Sequence, residues 1–135
     1  METLKVRTTS RVEFVDITSQ VRSAIAQSGV QEGIAVVFVS HTTAGITINE
    51  AADPAVTQDI IQKLNELVPH RGPYKHAEGN SDAHIKSTLV GSSVHLIVSS
   101  GAPVLGTWQG VFFCEFDGPR NRKVMVEVIK KSPSK

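Results

Sequence analysis

An α+β fold is predicted, with a largely antiparallel β-sandwich or open barrel and two to three helices in a single domain. Three observations point to it. Apolar and polar residues alternate with period two in several short segments, the signature of half-buried strands. A further segment of strand length, Ile34-Ala35-Val36-Val37-Phe38-Val39, is apolar throughout and reads as a central strand covered on both faces. Helical spacing appears only in the stretches between those segments, and a chain of 135 residues suits one domain, spanning 1–135, that buries a core of its own.

Taken in order, Leu4 to Thr9 and Arg11 to Ile17 both alternate, with Thr9-Ser10 between them, and are expected to pair as an opening hairpin. Asp16 or Thr18 is placed to cap a helix whose Val21, Ala24, Ile25 and Ser28 share one face, and Gly29 is placed to end it in the left-handed conformation. The apolar strand leads directly into Thr42 to Glu50, which alternates. Asp53-Pro54 starts a second helix, because Asp accepts orphan amide hydrogen bonds and Pro at the first position has none to lose. Val56, Ile60, Leu64 and Leu67 mark its inner face and Pro69 stops it.

From His70 to Asp82 no apolar period survives; long loops in compact domains are usually functional or disordered, and the His, Glu, Asn and Asp here favour function. Ala83 to Val90 is expected to be a short helix capped by Asp82, with Ile85 and Leu89 inward. Val94 to Val98 is a strand. Ser100-Gly101 turns the chain into Val104 to Phe116, where Trp108, Phe112, Cys114 and Phe116 share one face, and Trp108 reads as a core residue before it reads as a stacking wall. Asp117-Gly118-Pro119 makes a turn, Val124 to Ile129 closes the sheet, and residues 130–135 form a frayed tail.

Composition narrows the function. A formal net charge of +1 with 20% charged residues lacks the basic footprint that nucleic-acid binding needs. The start, Met1-Glu2-Thr3-Leu4-Lys5, has no apolar run of signal-peptide length, and no segment approaches the roughly 20 apolar residues of a membrane span. A soluble, cytoplasmic protein is expected. Cys114 is the single cysteine, so no intrachain disulfide forms, and its apolar surroundings mark it as a small core residue.

The stretch His41-Thr42-Thr43-Ala44-Gly45-Ile46-Thr47-Ile48-Asn49-Glu50 is the most informative. When it is extended, Ile46 and Ile48 face one way and Thr43, Thr47 and Asn49 the other, with His41 on the polar side. That face carries hydroxyls, an amide and an imidazole but no Lys or Arg, which suggests the wall of a small polar site; a Thr-rich strand open to water is the alternative. His76, Glu78, Asp82 and His84 fall close together in the chain, and imidazoles beside a carboxylate are the ligand set preferred by zinc and similar ions. The same groups suit general acid–base work, and surface histidines on a polar loop are the plain alternative. Arg120, Arg122 and Lys123 follow the turn; Arg is suited to phosphate or carboxylate recognition, or serves solubility. The glycines of Leu105-Gly106-Thr107-Trp108-Gln109-Gly110 permit close backbone approach to a ligand. No Gly-rich phosphate loop, nucleophile elbow or Cys-x-x-Cys is present.

Together, the stretch from His41 to Glu50, Ala52-Asp53-Pro54, Ala83-His84-Ile85-Lys86-Ser87, Leu105 to Gly110 and Asp117-Gly118-Pro119-Arg120 resemble the YjbQ family over nearly the whole chain. Ala51 departs from the pattern, standing where Asn is expected in many relatives. The resemblance implies a compact α+β sandwich assembling as a homotrimer, with a polar pocket near the subunit boundary. It implies a divalent metal, zinc first, on His41, His76 and His84, with magnesium as the alternative beside a pyrophosphate. It also implies a thiamine-phosphate synthase activity, coupling a pyrimidine pyrophosphate to a thiazole phosphate. In that scheme Glu50, Glu78 or Asp82 acts as acid–base or supporting group, while Thr43, Asn49, Lys86, Gly106, Trp108, Gln109 and Arg120 line or orient a small anionic metabolite. A non-catalytic trimer binding a metal or an anionic metabolite is the competing expectation.

Overall fold

The computed structural model describes residues 1–133. Its strands are β1 (Glu2–Arg7), β2 (Glu13–Asp16), β3 (Gly33–Val39), β4 (Ala44–Glu50), β5 (Ser93–Ser99), β6 (Ala102–Pro103), β7 (Gln109–Glu115) and β8 (Asn121–Lys130). Three helices join them: α1 (Thr18–Ser28), α2 (Pro54–Leu67) and α3 (Ser81–Val90). All strand pairs are antiparallel, in one sheet of order β1-β8-β3-β5-β6 and another of order β2-β7-β4. The predicted α+β sandwich is therefore present.

The opening hairpin is not. β1 pairs with β8 while β2 pairs with β7, so the chain leaves one sheet and enters the other between Thr8 and Val12. Alternation specifies which side chains face inward, and says nothing about the strand that lies alongside.

The main core lies between the sheets. Ala35, Val37, Val39, Leu96, Val98, Val124 and Val126 from the larger sheet meet Ala44, Ile46, Val111 and Phe113 from the smaller one, and α1 adds Val21, Ala24 and Ile25, with Ile17 just before it. Burying each larger side chain contributes roughly 1.5–3 kcal/mol. The Asp16 carboxylate accepts from the Thr18 amide and hydroxyl, and Gly29 ends α1 at φ 74°, a left-handed value that only Gly adopts without strain. β3 lies centrally between β8 and β5, but only one of its faces is covered: Ile34 and Phe38 on the other remain 50% and 41% exposed.

On the far side of the smaller sheet a second cluster joins Phe112, Cys114 and Phe116 to Ala83, Phe14 and Leu64. β7 is thus buried on both faces. Trp108 does not join this cluster; it precedes the strand and is 64% exposed. Burial also pushes the Cys114 thiol above its ordinary value, leaving it a packing residue. Asp53 caps α2 by accepting from the Ala55 amide, yet α2 has no fully buried residue and Leu67 points to solvent.

α3 is rotated relative to expectation. Ile85 and Leu89 are exposed, whereas Asp82, Ala83, Lys86 and Ser87 face inward. Small residues at 83 and 87 let the helix approach β4, where a side chain on Gly45 would meet the Gly91 carbonyl oxygen at 2.7 Å. The Ile46 amide donates to that same carbonyl at 3.0 Å, fastening the end of α3 to the strand. Among the described residues no helix is long and apolar enough to cross a membrane.

Candidate functional site

The end of β3, the start of β4 and the flank of α3 line a cleft of about 360 Å³ walled by His41, Thr42, Ala44, His84, Ser87, Thr88, Gly91 and Ser92. α3 supplies one wall because its inward residues are fixed behind it. Asp82 and Lys86, four residues apart on that inner side, pair at 3.0 Å with both side chains fully buried. Arg11 donates to both Asp82 carboxylate oxygens at 2.9 and 3.1 Å, and Lys86 also donates to Asn65. Burial alone would raise the Asp82 carboxyl; hydrogen bonds from Lys86 and Arg11 outweigh it and hold the group below its ordinary value. Asp82 and Lys86 are therefore held away from the cleft, in an ion-paired clamp, not free as the acid–base and substrate-orienting groups the sequence suggests.

A second buried network underlies His41. Glu115, fully buried, faces Arg122, 5% exposed. The Arg122 guanidinium donates to Glu115 and to the Thr43 hydroxyl and carbonyl, and the Thr8 hydroxyl donates to Glu115 at 2.7 Å. Thr43 is consumed in this network and is 6% exposed, so it holds Arg122 instead of lining a pocket. Burial would raise the Glu115 carboxyl, and the Arg122, Thr8 and Asp117 hydrogen bonds reverse that.

His41 lies at the edge of this network. The Lys123 backbone amide donates to His41 Nε2 at 3.0 Å, and a backbone N–H can only donate. In the neutral ring Nδ1 therefore carries the proton. Burial, with the Arg122 charge second, lowers the His41 pKa below its ordinary value, which favours that neutral form. A ring nitrogen engaged this way binds a metal only by giving up the amide, so His41 in this arrangement is a donor through Nδ1.

His76 and His84 stack edge to face with ring centres 5.4 Å apart, joining loop and helix as their sequence proximity suggests. Two imidazoles bound at ~2.0–2.1 Å to one tetrahedral ion put their ring centres on the order of 5 Å apart, so the pair fits two ligand positions. Glu78 approaches His76 at 3.9 Å from an exposed position. Among the described residues no three His, Cys, Asp or Glu side chains form a metal-holding group.

The remaining expected residues lie elsewhere. Asn49 and Glu50 end β4 opposite Gly110 and Gln109, beside Trp108, whose carbonyl accepts from the Ala51 amide; Gln109 accepts from the Gly106 amide. β4 has seven residues and spans roughly 20 Å, which separates this group from the histidine cleft within one chain. Arg120 is paired with Asp117. Glu115 was missed in the sequence, although a lone acid within Val111-Phe112-Phe113-Cys114-Glu115-Phe116 is the signal of a buried charge needing a partner.

These groups set the acid response. Asp82 and Glu115 hold protons less tightly when folded, so their stabilisation is fully present above the ordinary carboxylate range and is lost as pH falls toward their lowered folded values. His41, lowered from 6.5, adds a smaller loss of the same sign once pH drops below that value, because the unfolded chain then binds the extra proton. Urea midpoints are expected to be level above neutrality, to dip slightly on acidification below about pH 6.5, and to fall steeply below about pH 4.5. His41→Gln should erase the shallow step alone.

The two-sheet core and the histidine-walled cleft at the start of β4 define a small α+β protein. Residues 2–131 match the family model described as UPF0047 protein YjbQ-like, and the chain belongs to that family. It is 58% identical to a UPF0047 protein of Methanocaldococcus jannaschii over 93% of this chain and 91% of the relative. It is 46% identical to the UPF0047 protein YugU of Bacillus subtilis over 96% and 98%. A solved YjbQ/UPF0047 structure from Clostridium acetobutylicum superposes with TM-score 0.94 at 54% identity, covering 96% of this chain and 100% of that one. A YbjQ-like protein from Sulfolobus solfataricus gives TM-score 0.92 at 36% identity, covering 96% of each.

Proposed function

We propose that the protein is a metal-assisted enzyme acting on a small anionic metabolite in the His41–His84 cleft, of the thiamine-phosphate synthase type. The observation that carries this reading is the His76–His84 pair, 5.4 Å between ring centres, beside a cleft that His84 shares with His41. In it, His76 and His84 hold a divalent ion, zinc first and magnesium where a pyrophosphate is the substrate, and Glu78 steadies His76. When bound, the ion supplies charge stabilisation at an oxygen of the reacting group. His41 donates a hydrogen bond from Nδ1–H to the anionic substrate and keeps its proton, and the clamp at Asp82 keeps α3 in position. Asn49, Glu50, Gly106, Trp108 and Gln109, set apart from the cleft along β4 within one chain, would serve it only from a neighbouring subunit of a homotrimer. The exposed Ile34, Ile97 and Ile129, paired at the end of the outer sheet face away from Lys5 and Lys123, support burial of that end in such an assembly.

Elemental analysis of the purified protein tests the metal, with near-stoichiometric zinc or another divalent ion as the expected result. His84→Ala, which removes a ligand outright, is expected to weaken metal binding by more than the roughly 10–100-fold that loss of a ligand's supporting partner costs, and to lose turnover of pyrimidine pyrophosphate with thiazole phosphate. Unchanged metal content in the variant refutes the ligand role. A second reading, a non-catalytic trimer that binds the metabolite or metal, is favoured by one observation: no carboxylate lines the cleft. Calorimetric titration with thiamine precursors joined to product analysis separates the two, since tight binding without product supports the second.

A further inference from the structure

The ribbon formed by β1 and β8 carries cations that no ion pair balances among the described residues. Lys5 lies directly opposite Lys123, and Arg7 opposite Asn121. Lys5, Arg7 and Lys123 are exposed at alternate positions on the same face. Directly opposed residues have Cβ atoms about 4.5–5.5 Å apart, and like charges placed so destabilise the ladder. Among the described residues none of these three joins an ion pair, while their neighbours Arg120 and Arg122 are taken by Asp117 and Glu115.

A cavity of about 440 Å³ opens at this point, bounded by Lys5, Val6, Arg7, Asn121, Arg122 and Lys123. It adjoins a second recess through Arg7 and Asn121, which line both. No carboxylate lines either one. The Lys123 amide that donates to His41 ties this recess to the imidazole of the histidine cleft.

We infer that this recess seats a phosphate or diphosphate group, free or as the charged end of a phosphorylated small molecule. Arg7 supplies a planar fork suited to two phosphate oxygens, and Lys5 and Lys123 supply point charges. An anion between the lysines converts their repulsion into attraction. Recognition of a nucleic-acid backbone would need a longer cationic track, and a chain of net charge +1 does not provide the field for it. The inference deepens the proposed function by placing the anionic end of its ligand, yet the recess contains none of the metal-binding histidines.

Isothermal calorimetry of the full chain in its native assembly, with inorganic diphosphate and orthophosphate in the presence of chelator, tests it. Diphosphate is expected to bind, to bind more weakly as salt rises, and to bind His84→Ala as it binds wild type. The last result separates this seat from the metal site, so failure of the metal reading leaves it standing. In Lys5→Gln/Lys123→Gln, diphosphate affinity should fall at least about tenfold, while the ligand-free protein melts at a higher temperature because the repulsion is gone; Lys5→Arg/Lys123→Arg should retain binding. Tighter binding of thiazole phosphate than of diphosphate supports a phosphorylated metabolite, and equal binding supports the free anion. Absence of heat with wild type, or undiminished affinity in the Gln variant, overturns the inference. So does a Gln variant with a lower melting temperature and a changed oligomer mass, which would show the cations satisfied by a neighbouring copy.

Discussion

Glu115→Leu is expected to destabilise the protein by about 3–5 kcal/mol, the usual cost of stranding one member of a buried ion pair, and to lower Tm by on the order of 10–20 °C. The carboxylate is fully buried and accepts from Arg122 Nε at 2.9 Å, from the Thr8 hydroxyl at 2.7 Å and from the Asp117 amide at 3.1 Å. Without it the Arg122 guanidinium, 5% exposed, keeps Thr43 as a partner but has no opposite charge. Glu115→Leu/Arg122→Met should recover most of the loss, since two apolar groups leave nothing charged behind. Urea denaturation across the double-mutant cycle measures both. A single-variant loss below about 1 kcal/mol, typical of solvated surface pairs, would show that water reaches the pair.

The second large effect is expected at the clamp behind α3. Asp82→Leu removes the carboxylate shared by Lys86 at 3.0 Å and Arg11 at 2.9 Å. Lys86 is fully buried and would retain only Asn65, so a loss of about 3–5 kcal/mol is expected here too. Because α3 carries His84, ligand or metal binding in the cleft should weaken alongside stability. Lys86→Met provides the control: it removes the buried cation, leaves Asp82 paired with Arg11, and should cost less. Equal losses in the two variants would mean that Arg11 alone cannot hold the carboxylate.

What the sequence made legible follows from the range of each signal. The α1 cap at Gly29, the Asp53-Pro54 start of α2 and the strand periods are local, and each element formed near its expected position. Partners were not local: the alternation in Leu4 to Thr9 and Arg11 to Ile17 placed their side chains but could not send β1 to β8 and β2 to β7. α3 was misoriented because Asp82 and Lys86, four residues apart, look like a solvated surface pair. Only the distant Arg11 and Asn65 make their burial tolerable. Family resemblance and fold agree closely, and the proximity of His76 to His84 was legible from their shared loop and helix start. The separation of Asn49, Glu50 and Trp108 from the histidines was not, since strand parity reports a face and not an end. Lys5 and Arg7 escaped notice because their significance depends on Lys123, more than a hundred residues later in the chain.

The network around Glu115 draws on the segment after β1, the loop before β4, the end of β7 and the start of β8. Its members come from both layers, so neither sheet can loosen without exposing a charge that the other sheet neutralises. Melting should therefore proceed as one transition, with hydrogen exchange in β3 and β7 collapsing at the same denaturant concentration. Because Thr8 and Glu115 are 107 residues apart, the network is expected to close late in folding, which low φ-values for Thr8→Ala would confirm. Slow refolding, limited by loop closure over the full chain length, is the kinetic mark it leaves.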